Sequence, residues 1–122
     1  HASGGTGIGV FQAAQEKGEG FWVIGVDSDQ YELAPDNVLS SMIKRVDTAV
    51  FETIKDAKEG NFKSGISVLG LKEDGVGLAP TTSNNTPQEV IDQVNALGDR
   101  IIAGEIVVPT TDEQLESFTP PQ

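Results

Sequence analysis

Short apolar runs alternate with amphipathic segments along this chain, and this alternation limits the folds that it can adopt. The predicted elements, in chain order, are a helix at residues 6–17, strands at 21–26 and 38–43, a helix at 46–57, a strand at 66–69 and a helix at 87–103; shorter strands are predicted at 76–78 and 106–108. Buried strands alternating with amphipathic helices predict an α/β fold built on a parallel sheet.

Length and composition exclude several classes of protein. The 122 residues suffice for about one domain. The formal net charge is −11, which argues against a nucleic-acid partner because Lys and Arg bind phosphates. The chain has no cysteine, which excludes a disulfide scaffold, a cysteine-ligated zinc site and a thiol nucleophile. No apolar run approaches the ~18 residues of a membrane-spanning helix.

A glycine-rich loop at residues 3–9 opens the first predicted helix. Free N–H groups and the positive helix end suit an anion or a hydroxyl oxygen, and the alternative is a tight turn that lets the helix approach the sheet. Val10 stands where the dinucleotide motif has glycine, and no Gly-Lys-Ser/Thr follows, so both phosphate motifs are excluded. Such loops usually follow a strand, and we therefore expect the chain to be part of a longer protein.

Asp27 and Lys44 each follow a predicted strand. Ligands of open α/β sheets bind beyond the carboxyl ends of the strands, so the two residues share an edge if their strands are neighbours. A carboxylate can accept two hydrogen bonds from a vicinal diol such as a ribose, and lysine can donate to a hydroxyl. The alternatives are a turn aspartate and a surface lysine, which is the more common role of lysine.

The chain offers few groups for catalysis or metal binding. Its single histidine is His1, and no nucleophile elbow or metalloprotease motif is present. A calcium loop starting at Asp27 is excluded, since Glu32 and Val38 stand where glycine and glutamate are required. We therefore predict a binding protein with no catalytic residues, metal or cofactor, and not an enzyme.

Four sequence blocks carry a family resemblance. They are ASGGTGIGVFQAA at residues 2–14, VIGVDSDQY at 23–31, SMIKRVD at 41–47 and AGEIVVP at 103–109. With these blocks the chain closely resembles the C-terminal part of the basic membrane protein family, over residues 1 to 111. Members of that family are substrate-binding lipoproteins of ABC transporters, and characterised members bind purine nucleosides.

The resemblance implies a two-lobed periplasmic-binding-protein fold of type I, with the ligand in the cleft between lobes. Residues 1–84 would form most of the second lobe, without its first strands. Residues 85–109 would be a crossover helix and strand that pack on the first lobe, and residues 110–122 a loose acidic tail. Gly4, Gly5, Asp27 and Lys44 would face the nucleoside, the last two on its ribose side, while the first lobe would supply stacking and base contacts.

The implied partners are a purine nucleoside, the first lobe and an ABC permease, and the implied location is the cell surface or periplasm, with a lipid anchor at the N-terminus. The alternative is a ligand-sensing effector domain of a regulator or signalling receptor, because these proteins use the same fold. We also expect a homodimer of this chain, since the apolar stripe of residues 87–103 lacks a partner and an incomplete sheet has an open edge.

Overall fold

Seven helices and strands in the described part of the chain form an α/β fold, as predicted. The computed structural model describes residues 4–121. The elements are α1 (Gly7–Lys17), β1 (Val23–Asp27), β2 (Val38–Lys44), α2 (Val46–Glu59), β3 (Val76–Leu78), α3 (Gln88–Ile102) and α4 (Asp112–Ser117). Short 3-10 turns occur at Gly4–Thr6, Tyr31–Leu33 and Pro80–Asn84. The three long helices and the first two strands lie within two residues of their predicted bounds.

The three strands form one sheet in the order β1-β2-β3. β1 and β2 are parallel, and Asp27 is paired with Ile43. β3 is antiparallel to β2, with Val76 beside Lys44, so the sheet is mixed and not parallel throughout. The reason lies in the chain path: after α2, the backbone returns to the edge where β2 ends, and the N–H of Arg45 donates to the carbonyl of Gly75 (2.9 Å). β3 can therefore only run back along β2.

The strands predicted at residues 66–69 and 106–108 do not form within residues 4–121. Ile66 is 98% exposed and Val68 is 82% exposed. An apolar run favours an extended backbone, but a strand also needs a partner edge for its N–H and C=O groups. Neither segment pairs with another strand in the described part of the chain, so both predictions are wrong here.

The core lies between α1, the turn after β1 and one face of the sheet. Its buried side chains are those of Phe11, Ala14, Val23, Ala34 and Val38, with Tyr31 packed against them. The buried amide of Asn37 joins these elements, because its Nδ2 donates to the carbonyls of Ala14, Gly18 and Phe21 (3.4, 3.1 and 2.9 Å). The C-terminal end of α1 is thus held at the amino-terminal edge of the sheet.

The other two long helices are less covered. The large apolar side chains of α2 are exposed, and the apolar stripe of α3 is only half-buried. Pro87 is the N-cap of α3 and makes no side-chain capping bond, while the hydroxyl of the preceding Thr86 donates to the carbonyl of Leu39 (2.7 Å). Of the helices in residues 4–121, none is long and apolar enough to cross a membrane.

Candidate functional site

The carboxyl ends of β1 and β2 bring Asp27 and Lys44 together. Lys44 Nζ lies 3.0 Å from Asp27 Oδ1, and the two side chains are 55% and 51% exposed respectively. An ion pair this exposed adds at most about 1 kcal/mol to stability. Both groups therefore keep hydrogen-bonding capacity for a ligand, and their opposite charges cancel.

Asp27 has an unusual backbone conformation. Its φ is +71°, in the left-handed region that non-glycine residues rarely adopt. The N–H of Ser28 donates to the carbonyl of Val26 (2.9 Å), so that Asp27 is the central residue of a tight turn of the γ type. Strained residues of this kind cluster at binding and catalytic sites and persist only where surrounding contacts hold them.

Gln30 is one of the contacts that hold the loop after β1. Its Oε1 accepts the N–H of Val26 (2.8 Å), and its own N–H donates to Oγ of the buried Ser41 on β2 (3.1 Å). A Cβ on Gly25 would lie 2.5 Å from Ser41 Oγ and 2.8 Å from Gln30 Oε1. Only glycine at position 25 leaves room for this folded-back loop.

Asp29 ties the same loop to a distant segment. Its Oδ1 accepts the hydroxyl of Thr81, in the turn after β3, at 2.7 Å, and also the N–H of Tyr31 at 3.2 Å. Asp29 and Gln30, the two residues that follow Ser28, thus each bond to another element of the fold.

The turn at residues 70–75 borders the site on the β3 side. Arg45 Nε lies 3.1 Å from Asp74 Oδ1, at ion-pair distance but without hydrogen-bond alignment, so the contact is electrostatic. Because β3 begins where β2 ends, this turn lies at the same edge of the sheet as Lys44.

Gly4 and Gly5 lie in the turn that precedes α1, and both are exposed. Gly4 has φ +66°, and a Cβ on either residue would meet no atom within 4 Å. Close packing on the sheet therefore does not require glycine at these two positions. Within residues 4–121, no hydrogen bond or ion pair joins either glycine to Asp27 or Lys44. Ser3, the first residue of the predicted loop, lies outside the described residues.

Residues 1–112 match the model of the PnrA-like family of ABC transporter substrate-binding proteins. The chain belongs to this family. The match spans more than nine-tenths of the sequence and includes the Asp27–Lys44 pair. The family is defined by substrate binding and is not an enzyme class.

Several relatives extend this result. The chain is 38% identical to basic membrane protein D of Borreliella burgdorferi (strain JD1), over 96% of this chain and 35% of the relative. It is 40% identical to basic membrane protein B of Borreliella afzelii (strain PKo), over 96% and 33% respectively. The chain thus spans about a third of the length of these relatives, and the predicted resemblance to basic membrane proteins is confirmed.

A solved structure supports the fold. A crystal structure of the ABC transporter system solute-binding proteins from Aeropyrum pernix K1 matches with a TM-score of 0.62 and 29% identity, over 87% of this chain and 38% of that one. The predicted periplasmic-binding-protein fold is therefore confirmed as a partial one.

Sequence reasoning missed the residues that surround the pair. Asp29, Gln30 and Thr81 were not singled out, because each acts through a partner on another element. Nothing in the spacing of residue types marks Thr81, which lies 52 positions from Asp29 along the chain. Within residues 4–121, no group of three or more His, Asp or Glu side chains could hold a metal ion.

Proposed function

We propose that this chain provides one side of a purine nucleoside site in the substrate-binding component of an ABC importer, with Asp27 and Lys44 on the ribose. The observation that carries the proposal is the 3.0 Å ion pair at the edge where two parallel strands end. This edge is where ligands of open α/β sheets bind.

The hydrogen-bonding capacity of the pair suits a vicinal diol. One oxygen of Asp27 forms the ion pair with Lys44, which leaves the other oxygen as an acceptor for hydroxyl groups, and the Lys44 ammonium has N–H donors for the ligand. The pair has no net charge, and the chain as a whole carries −11. Both facts favour an uncharged nucleoside over a nucleotide, whose phosphates would be repelled.

We include Gly4 and Gly5 in the proposed site because of the direction of α1. Its C-terminal end is held at the amino-terminal edge of the sheet by Asn37. Eleven helical residues rise about 16 Å, close to the length of a five-residue strand at about 3.3 Å per residue. The turn at Gly4–Thr6 would then reach the carboxyl edge, where its backbone N–H groups can donate to a ligand oxygen.

Titration of the ¹⁵N-labelled chain with inosine, adenosine and guanosine, followed by NMR, tests this function. We expect saturable shifts of the amide signals of Asp27, Lys44, Gly4 and Gly5. The matching 2′,3′-dideoxynucleosides should bind at least about tenfold more weakly, because they lack the hydroxyl groups that would bond to the Asp27 carboxylate and the Lys44 ammonium.

Two outcomes of this titration would contradict the proposal. One is the absence of saturable shifts with any of the three nucleosides. The other is equal affinity for nucleosides and dideoxynucleosides, which would show that the diol is not recognised. The free bases serve as a control, since they lack the ribose altogether.

The wider setting is also proposed from the family. Importers of this kind capture substrate outside the cytoplasm, and we propose that the protein works at the cell surface or in the periplasm, lipid-anchored, with an ABC permease as its partner.

We propose the domain arrangement given by the resemblance: residues 1–84 in the second lobe, residues 85–109 packed on the first lobe and residues 110–122 as an acidic tail. Its support is the half-buried apolar stripe of α3, and the short helix α4 lies in that tail.

We further propose that the chain by itself forms a homodimer. Large apolar side chains, among them Phe51 and Ile54 of α2 and Val94 of α3, are exposed or half-exposed, and such surfaces attract partners. Sedimentation equilibrium at high concentration should give about twice the chain mass of 12.9 kDa. A single species of 12.9 kDa under those conditions would refute the dimer.

A further inference from the structure

We propose that Asp29 and Thr81 are positioning residues that hold the Asp27 carboxylate in its ligand-binding orientation. This inference rests on the proposed nucleoside function. Neither residue is proposed to contact the ribose. Both would act on Asp27 through the backbone of the loop that follows β1.

The first argument is the conformation that must be held. Asp27 has φ +71°, which an aspartate does not adopt without support from its surroundings. Asp29 lies two residues further along the chain, and its Oδ1 is held at 2.7 Å by the hydroxyl of Thr81. A hydrogen bond to a carboxylate is among the stronger ones in proteins. Release of Asp29 would therefore remove the support that the Gln30 contacts do not supply, so that Asp27 relaxes toward a negative φ and its side chain turns away from Lys44.

The second argument is that Thr81 is fastened independently of Asp29. The next residue, Thr82, is buried, with its Oγ1 at 2.8 Å from Ser40 Oγ and at 2.6 Å from the carbonyl of Ala79, to which it donates. Asn85 Nδ2 donates to the carbonyl of Val38 at 2.7 Å. The turn at Pro80–Asn84 would thus stay on β2 without the Thr81 hydroxyl, which is free to act on the loop alone.

The test compares Thr81→Val, which removes the hydroxyl at nearly constant volume, with Thr81→Ser, which retains it. Thr110→Val is a matched control. Thr110 precedes α4, and its hydroxyl donates to Oε1 of Gln114 within that helix. Inosine affinity should fall roughly threefold to tenfold in Thr81→Val and stay unchanged in the other two variants. In the ligand-free chain, the intraresidue HN–Hα NOE of Asp27, which is strong at positive φ, should weaken only in Thr81→Val.

A double-mutant cycle with Asp29→Ala completes the test. If the two residues act as a unit, Asp29→Ala and the double variant should bind inosine equally weakly. Chemical denaturation shows whether each variant is folded, and Asp29→Ala replaces Thr81→Val should the latter not fold. Unchanged affinity and an unchanged Asp27 NOE in Thr81→Val would overturn the inference, as would additive losses in the cycle.

The failure of the proposed function gives a different result. If the unsubstituted chain binds no nucleoside, that function fails, and with it the role of the pair in ligand binding. The NOE of Asp27 in the Thr81 variants still decides whether Asp29 and Thr81 hold the backbone.

Discussion

Replacement of Asp27 by alanine is expected to weaken nucleoside binding about tenfold to a hundredfold. The carboxylate would accept charge-assisted hydrogen bonds from the ribose hydroxyls, and the loss of such bonds costs roughly 1.5–3 kcal/mol. Lys44, deprived of its partner at 3.0 Å, would also no longer be held in place. The NMR titration with inosine gives the dissociation constants directly.

Two further variants separate the effect of losing the carboxylate from the effects of backbone conformation and of net charge. Asp27→Gly should lose as much affinity as Asp27→Ala, although glycine adopts φ +71° without strain. Asp36→Ala removes the same charge two residues before β2, at the opposite edge of the sheet, and should bind normally. Unchanged affinity in Asp27→Ala and Asp27→Gly would refute the assignment of Asp27 to the site.

Replacement of Phe11 by alanine is expected to lower the free energy of unfolding by about 3–5 kcal/mol, the usual cost of removing a buried phenylalanine. Phe11 is 3% exposed and belongs to the core cluster that joins α1 to Val23 and Val38. A loss of this size is a large fraction of the stability of a domain of this length. Urea denaturation followed by circular dichroism measures it.

Phe51→Ala provides the matched control. This phenylalanine lies on α2 and is 64% exposed in the single chain, so at concentrations where the chain is monomeric its removal should change the free energy of unfolding by no more than about 0.5 kcal/mol. Equal losses in the two variants under those conditions would mean that another part of the same chain covers Phe51. A large loss of unfolding free energy in Phe11→Ala with a small one in Phe51→Ala would show that the core lies on the α1 side of the sheet.

The helices and the first two strands could be predicted because their signals are local. The spacing of Phe11 and Ala14 matches one helical face, and both side chains are buried in the core. β1 and β2 are apolar runs that end at charged residues, and a short run of this kind is typical of a buried strand. The candidate site followed from the same signals, because polar residues after a strand lie at its carboxyl end.

Burial and pairing could not be predicted from these signals. Periodicity shows that α2 has an apolar side, but not that Val50 and Ile54 would lie exposed. The run at residues 66–69 has the composition of a strand and pairs with none within residues 4–121. Strand pairing depends on which edge the rest of the chain leaves open, and no short window of sequence contains that information.

The residues that end the strands can be identified from local sequence patterns, and Asp27 and Lys44 were candidates for one site on that basis. That the two side chains meet depends on the fold, because the parallel pairing of β1 and β2 sets Asp27 beside Ile43, the residue before Lys44. The contact of Thr81 with Asp29, across 52 positions of sequence, likewise depends on the fold. Side-chain spacing within an element follows from the repeat of the backbone, whereas contacts between elements follow from how the sheet assembles around its core.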